Sequence, residues 1–142
     1  FPPDRLEAGT HNIAGIAGLL KGLRFVNNLG VENIAAQEAM LIHHMKKGMF
    51  SIPGMNVFCA GDSSVQTGVL SFCAEGRDCE ELGEALGGRG VALRAGLHCA
   101  PLAHETAGTL ETGTLRASVS AFNNVREVDQ FLRILGELTA KG

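Results

Sequence analysis

Apolar residues recur at helical spacing near both ends of the chain, and at strand spacing between them. Ile13, Ile16, Leu19, Leu20 and Leu23 follow the 3.6-residue period, which predicts a helix capped by Asn12 and ending near Gly30. A second helix is predicted from Val31 to Lys47, with Ile34, Leu41, Ile42 and Met45 inward and Gly48 as its stop. Two short strands follow, Asn56–Ala60 and Gly68–Ala74. Asp78 and Glu81 have the spacing of a capping box for a helix to about Leu86. Val91–Arg94 is predicted as a strand that runs into a loop reading RAGLHCAPLAHETAG, and Thr114–Ala121 alternates as a further strand. Asn124 and Glu127 cap a last helix carrying Val128, Phe131, Leu132, Leu135 and Leu138.

The order α-α-β-β-α-β-loop-β-α predicts an α+β fold in which helices cover a small antiparallel or mixed sheet. Pro2 and Pro3 disfavour helix at the start, so residues 1–11 are expected as an extended linker and residues 12–142 as one compact domain. Gly15, Gly18 and Gly22 each cost about 1 kcal/mol inside the first helix. They imply either close approach by another element or a merely weakened helix.

Composition narrows the function classes. With 142 residues, the chain is long enough to bury roughly two thirds of its unfolded surface. A net charge of −3 argues against a nucleic-acid partner. The aromatics are seven Phe without Trp or Tyr, which leaves no platform for stacking bases or sugars. No apolar run has the length of a membrane span. The chain begins with Phe1 rather than Met, and its opening FPPDRLEAGT lacks the pattern of a signal peptide, so it is expected to be cut from a longer one. Cys59, Cys73, Cys79 and Cys99 are read as reduced thiols of a cytoplasmic protein.

The cysteine and histidine spacings do not suit a metal. No cysteine pair has the two-to-four-residue gap of a zinc motif, and the adjacent His43 and His44 cannot both face one ion. Cys59 and Cys73 lie in apolar strand candidates and read as small buried hydrophobes, and Cys79 opens a helix. Cys99 stands in the small-residue loop, with Arg94 five residues back and His98 beside it. Both cations would favour a thiolate, yet local physics alone leaves a reactive and a buried cysteine evenly balanced. Arg116, in the strand candidate TLRASVSAF, is a possible carboxylate binder. Dinucleotide-binding, Walker and nucleophile-elbow patterns are all missing.

The segments LEAGTHNIAGIAGL, LSF, GVALRAGLHCAPLAH and LRASVSAFNNVREVD, in this order, resemble the C-terminal small domain of cysteine desulfurases. These are pyridoxal-phosphate (PLP) enzymes of the class V aminotransferase group, related to selenocysteine lyases. The resemblance runs from about Arg5 to Leu138. It implies sulfurtransferase or lyase chemistry that turns L-cysteine into L-alanine and an enzyme-bound persulfide. Cys99 matches the sulfur-accepting nucleophile, with His98 beside it as a candidate acid/base. Arg116 matches the clamp on the substrate carboxylate and Arg94 a second active-site arginine, with Asn12 in the substrate-side motif. Gly9 and Thr10 match a loop that reaches the PLP phosphate of the neighbouring subunit in a homodimer. A sulfur-acceptor protein is the further partner that the resemblance implies.

The match has departures. His11 stands where proline is common, and Leu97 replaces a histidine found in lyase-like members, leaving His98 the only imidazole adjoining Cys99. The lysines are Lys21, Lys46, Lys47 and Lys141, and none resembles the family's Schiff-base motif. A large domain bearing that lysine is therefore expected to be absent from this chain, which alone should neither hold PLP covalently nor turn over cysteine. Two alternatives remain: the same fold acting on selenocysteine or cysteine sulfinate, and a free-standing thiol domain that carries persulfide.

Overall fold

The computed structural model describes residues 1–6 and 9–140. The chain divides into two compact units, Phe1–Ile34 and Ala35–Gly142.

The first unit holds a single 3-10 turn at Asp4–Leu6 and the helix α1 (Ile13–Leu29). Asn12 caps α1 as expected, its side-chain oxygen accepting from the Gly15 N–H at 2.9 Å. No residue of α1 is buried. A Cβ added at Gly18 or Gly22 would meet nothing within 4 Å, so the close neighbour that these glycines suggested is not among the described residues. Gly30, at φ +84°, turns the chain into α2 (Val31–Phe50).

The second unit carries a four-stranded antiparallel sheet in the order β1-β2-β4-β3. The strands are β1 (Met55–Phe58), β2 (Val69–Ala74), β3 (Arg94–Gly96) and β4 (Thr114–Ser118). The helices α3 (Cys79–Gly87), α4 (Pro101–Ala107) and α5 (Val125–Thr139) complete the α+β order. Alternation along the strands gives the sheet two different faces. One face sends Leu70, Phe72, Leu115 and Ala117 into the core, against Leu41, Ile42 and Met49 of α2 and Phe131, Ile134 and Leu135 of α5. The Phe72 and Phe131 rings lie 5.9 Å apart at its centre. The other face carries Ser71, Arg94, Arg116 and Ser118.

Four expectations need correction. Gly48 does not stop α2, which continues to Phe50. It is a packing glycine, because an added Cβ would overlap the Leu132 side chain of α5. The third strand is Arg94–Gly96 rather than Val91–Arg94: Val91 and Leu93 pack on the core, but ladder pairing to β4 begins at Arg94. The fourth strand ends at Ser118, and the Asn123 side chain accepts from the Ser120 N–H at 2.9 Å just beyond it. The 94–108 loop is largely structured, since Pro101–Ala107 forms α4. Pro101 starts that helix, where its missing N–H costs nothing, and Gly108 closes it at φ +68°.

Candidate active site

The polar face of the sheet is built from one cross-strand row. Arg116 on β4 pairs in register with Ser71 of β2 on one side and Arg94 of β3 on the other. Like charges placed directly opposite repel, so this row disfavours folding unless an anion joins it. The ion pairs among the described residues are His44–Asp129, Arg89–Glu137 and Arg133–Glu137, and none supplies a carboxylate to Arg94 or Arg116. Arg116 Nε is buried and without a hydrogen-bond partner. Two guanidinium groups and an orphaned donor have the chemistry that suits a planar anion such as a carboxylate.

Beyond β3 the chain reverses at residues 97–100. The Ala100 N–H donates to the Leu97 carbonyl at 2.9 Å, and the central residues His98 and Cys99 have φ +53° and +60°. Positive φ at both central positions defines a type I′ turn, which Asn-Gly normally occupies. Holding two residues with side chains there costs of order 1–3 kcal/mol each, which surrounding contacts must offset. The turn leaves Cys99 exposed. Exposure resolves the sequence ambiguity in favour of an accessible thiol.

The His98 side chain is one such contact. Its Nε2 lies 3.1 Å from the Thr114 carbonyl and 3.2 Å from Thr114 Oγ1. A carbonyl only accepts, so Nε2 carries the proton and Nδ1 keeps its lone pair. That Nδ1 is buried with no partner. Burial first, and then the Arg116 guanidinium, hold His98 below the ordinary imidazole value, and His104 and Arg94 push the same way. Arg94, His104 and Arg116 therefore all act on His98, the residue before Cys99.

α4 closes over this face. A cavity of about 160 Å³ has walls from Phe58, Ser71 and Thr114 of the sheet and from His104 and Thr109. His104, Thr109 and Thr114 are buried. Sequence reasoning missed all three as site residues. Their signal was the pairing of Pro101 and Gly108 as helix boundaries, which would have turned His104 inward.

The other thiols differ from Cys99. Cys79 is buried at the start of α3, and burial raises its pKa despite the helix N-terminus. Cys73 is half-buried and also raised by burial, with an Asn56 hydrogen bond pulling the other way. Cys59 is half-buried. No group of three or more His, Cys, Asp or Glu among the described residues is arranged to hold a metal ion.

Gly9, Thr10 and Asn12 belong to the first unit. Gly9 has open space where a Cβ would stand, Thr10 is exposed, and the Asn12 side chain is engaged in capping α1. Lys21 is on α1, while Lys46 and Lys47 are on α2, where Lys46 Nζ sits 5.9 Å from the Phe50 ring centre. Lys141 lies outside the described residues.

Comparison with known proteins extends this picture. The Aminotransferase class-V family pattern matches residues 2–131. A probable cysteine desulfurase of Mycolicibacterium paratuberculosis is 41% identical over 141 residues, covering 99% of this chain and 20% of that protein. A cysteine desulfurase of Synechococcus elongatus is 41% identical over 127 residues, covering 89% of this chain and 20% of the relative. Among solved structures, an apo cysteine desulfurase from Thermococcus onnurineus superposes with a TM-score of 0.89 at 32% identity, over 98% of this chain and 34% of that one. An Escherichia coli cysteine desulfurase in its S-sulfonic acid form gives 0.82 at 30% identity, over 96% and 34%. The chain thus spans a fifth to a third of the length of these relatives.

Proposed function

The chain belongs to the class V aminotransferase family, and from that premise we propose that it is the small C-terminal domain of a PLP-dependent cysteine desulfurase. The observation that carries this reading is the exposed Cys99 thiol on a strained turn that follows β3, the strand whose Arg94 faces Arg116 with no carboxylate of a described residue paired to either. Arg116, with Arg94 opposite, would hold the substrate carboxylate, and the buried Nε of Arg116 would gain the partner it lacks. Cys99 then bonds to the sulfur of the bound L-cysteine. The substrate's carbon–sulfur bond breaks with its electron pair left on carbon, and protonation there gives L-alanine, with a persulfide on Cys99. His98, whose Nε2 donates to Thr114 and whose Nδ1 keeps a lone pair, would take or return the proton for Cys99.

The residues present fit PLP in part. The arginine row suits the carboxylate of an amino acid carried by the cofactor, and the open backbone at Gly9 with the exposed Thr10 hydroxyl suits a phosphate supplied across a homodimer. Lys46 and Lys47 lie on α2 rather than in the arginine row, and this reading takes the lysine that carries the cofactor from a part of the protein outside this chain. When bound, PLP supplies the electron sink that lets the carbon–sulfur bond break. Four free thiols accord with a reducing cytoplasm, and no helix of the described residues is long and apolar enough to cross a membrane. A sulfur-acceptor protein would unload the exposed Cys99.

The test uses the full-length protein that contains this chain. L-cysteine should yield L-alanine and, under reductant, sulfide. The Cys99→Ala variant should keep bound PLP and lose sulfide release, and an active variant would refute the role given to Cys99.

A further inference from the structure

His104 is a buried imidazole on a seven-residue helix that has no side-chain cap. Burying an imidazole is costly unless its nitrogens are satisfied, and a leucine of similar volume would fill the same space without that cost. Its Nδ1 lies 2.8 Å from Thr109 Oγ1, so the ring orientation is fixed from behind. On its other side the ring meets that of His98, with centroids 5.8 Å apart and planes at 43°. The Thr109 carbonyl accepts from the Gly113 N–H at 2.8 Å, which ties this support to the start of β4, where Thr114 holds His98 Nε2. Thr109, His104, His98 and Thr114 therefore form one connected bracket behind the turn that displays Cys99.

We propose that His104 is a positioning residue for Cys99. It acts through His98, holding the His98–Cys99 turn in its left-handed conformation, with Thr109 locking its own ring. This deepens the desulfurase reading and rests on it for the identity of the positioned nucleophile. Without His104, His98 keeps only its hydrogen bonds to Thr114, and the turn is free to relax toward negative φ and carry the sulfur away from the arginine row. The charged and titratable groups acting on His98 are Arg94 on β3, Arg116 on β4 and His104 on α4, so losing His104 also removes one positive contribution at His98.

The test compares His104→Phe, which keeps a ring but loses the hydrogen bond and the positive contribution, with Thr109→Val, which leaves His104 in place but unlocked. Both are made in the full-length protein labelled with ring-15N histidine. In His104→Phe the His98 titration midpoint should move up toward the ordinary imidazole value, a change that lost packing at α4 would not produce while the fold and the burial of His98 persist. Both variants should lower kcat for sulfide release about tenfold while KM for L-cysteine stays within about twofold, because a misplaced nucleophile costs turnover and leaves the carboxylate clamp intact. Unchanged His98 titration and unchanged kcat in both variants would overturn the proposal and leave His104 a core residue. The titration is read without substrate, so it decides the role of His104 even if Cys99→Ala retained sulfide release and the sulfur reading failed.

Discussion

Arg94 and Arg116 stand directly opposite each other across the β3–β4 pair, with no carboxylate of a described residue paired to either. A protein that needed only a stable sheet would not place two guanidinium groups there. Replacing Arg116 by Gln should raise thermal stability by a few tenths to about 1 kcal/mol, by relieving the cross-strand repulsion. The same substitution should raise KM for L-cysteine by about tenfold or more, the worth of a charge-assisted hydrogen bond. Paired chemical denaturation and steady-state kinetics check both directions, and a loss of stability without a KM effect would make Arg116 structural.

Cys99, Cys73 and Cys79 should label in an order set by accessibility and ionisation. Iodoacetamide at mildly alkaline pH should modify Cys99 first, because it is exposed. Cys73 and Cys79, both pushed up by burial, should follow slowly, with Cys79 the slowest because its side chain is in the core. Peptide mapping against time reads this order, and early labelling of Cys79 would contradict the packing of α3 on β3.

His98 makes stability fall on the acid side. Its folded-state pKa is depressed, by burial first and then by Arg116. The unfolded chain therefore takes up a proton at a higher pH than the folded one. The stability that neutral His98 contributes is fully present above its ordinary value near 6.5 and is lost as pH falls through the depressed folded value. His98→Gln should flatten that part of the melting-temperature profile. A profile unchanged by the substitution would mean that His98 is not held neutral.

Gly113 ties the base of this region together. At φ +64° it already disfavours a side chain, and an added Cβ would lie 3.0 Å from the Gly96 backbone and 3.1 Å from Cys79 Sγ. Gly113→Ala should cost roughly 1–3 kcal/mol, since backbone on the other side cannot swing away as a side chain can. Denaturant melts measure it, and a neutral result would contradict the approach of β3 to the start of β4.

The elements most legible in the sequence were those with a full apolar period and a matching cap. α5 shows this best: Asn124 accepts from the Glu127 N–H while the Glu127 carboxylate accepts from the Asn124 N–H, as their spacing implies. Asn12 before α1 was equally readable. Gly48 misled because a glycine at a helix crossing and a glycine at a helix end look alike until the Leu132 side chain is in place. The region around Cys99 was least legible. Its turn has His and Cys where the geometry asks for Asn and Gly, so the local rule fails at the very residues to which the chemistry is assigned. Cys99, Arg94 and Arg116 were nameable from their motifs. The bracket from Thr109 through His104 to His98 was not, because it depends on α4 folding back over the sheet.

The most direct measurement of the central claim is peptide mass spectrometry of the full-length protein after a brief exposure to L-cysteine without reductant. One added sulfur atom should appear on the Cys99 peptide, be removed by reductant, and be missing from the Cys99→Ala protein. Sulfur added to Cys59, Cys73 or Cys79 instead, or sulfide released undiminished by Cys99→Ala, would contradict the assignment of Cys99 as the sulfur-accepting nucleophile.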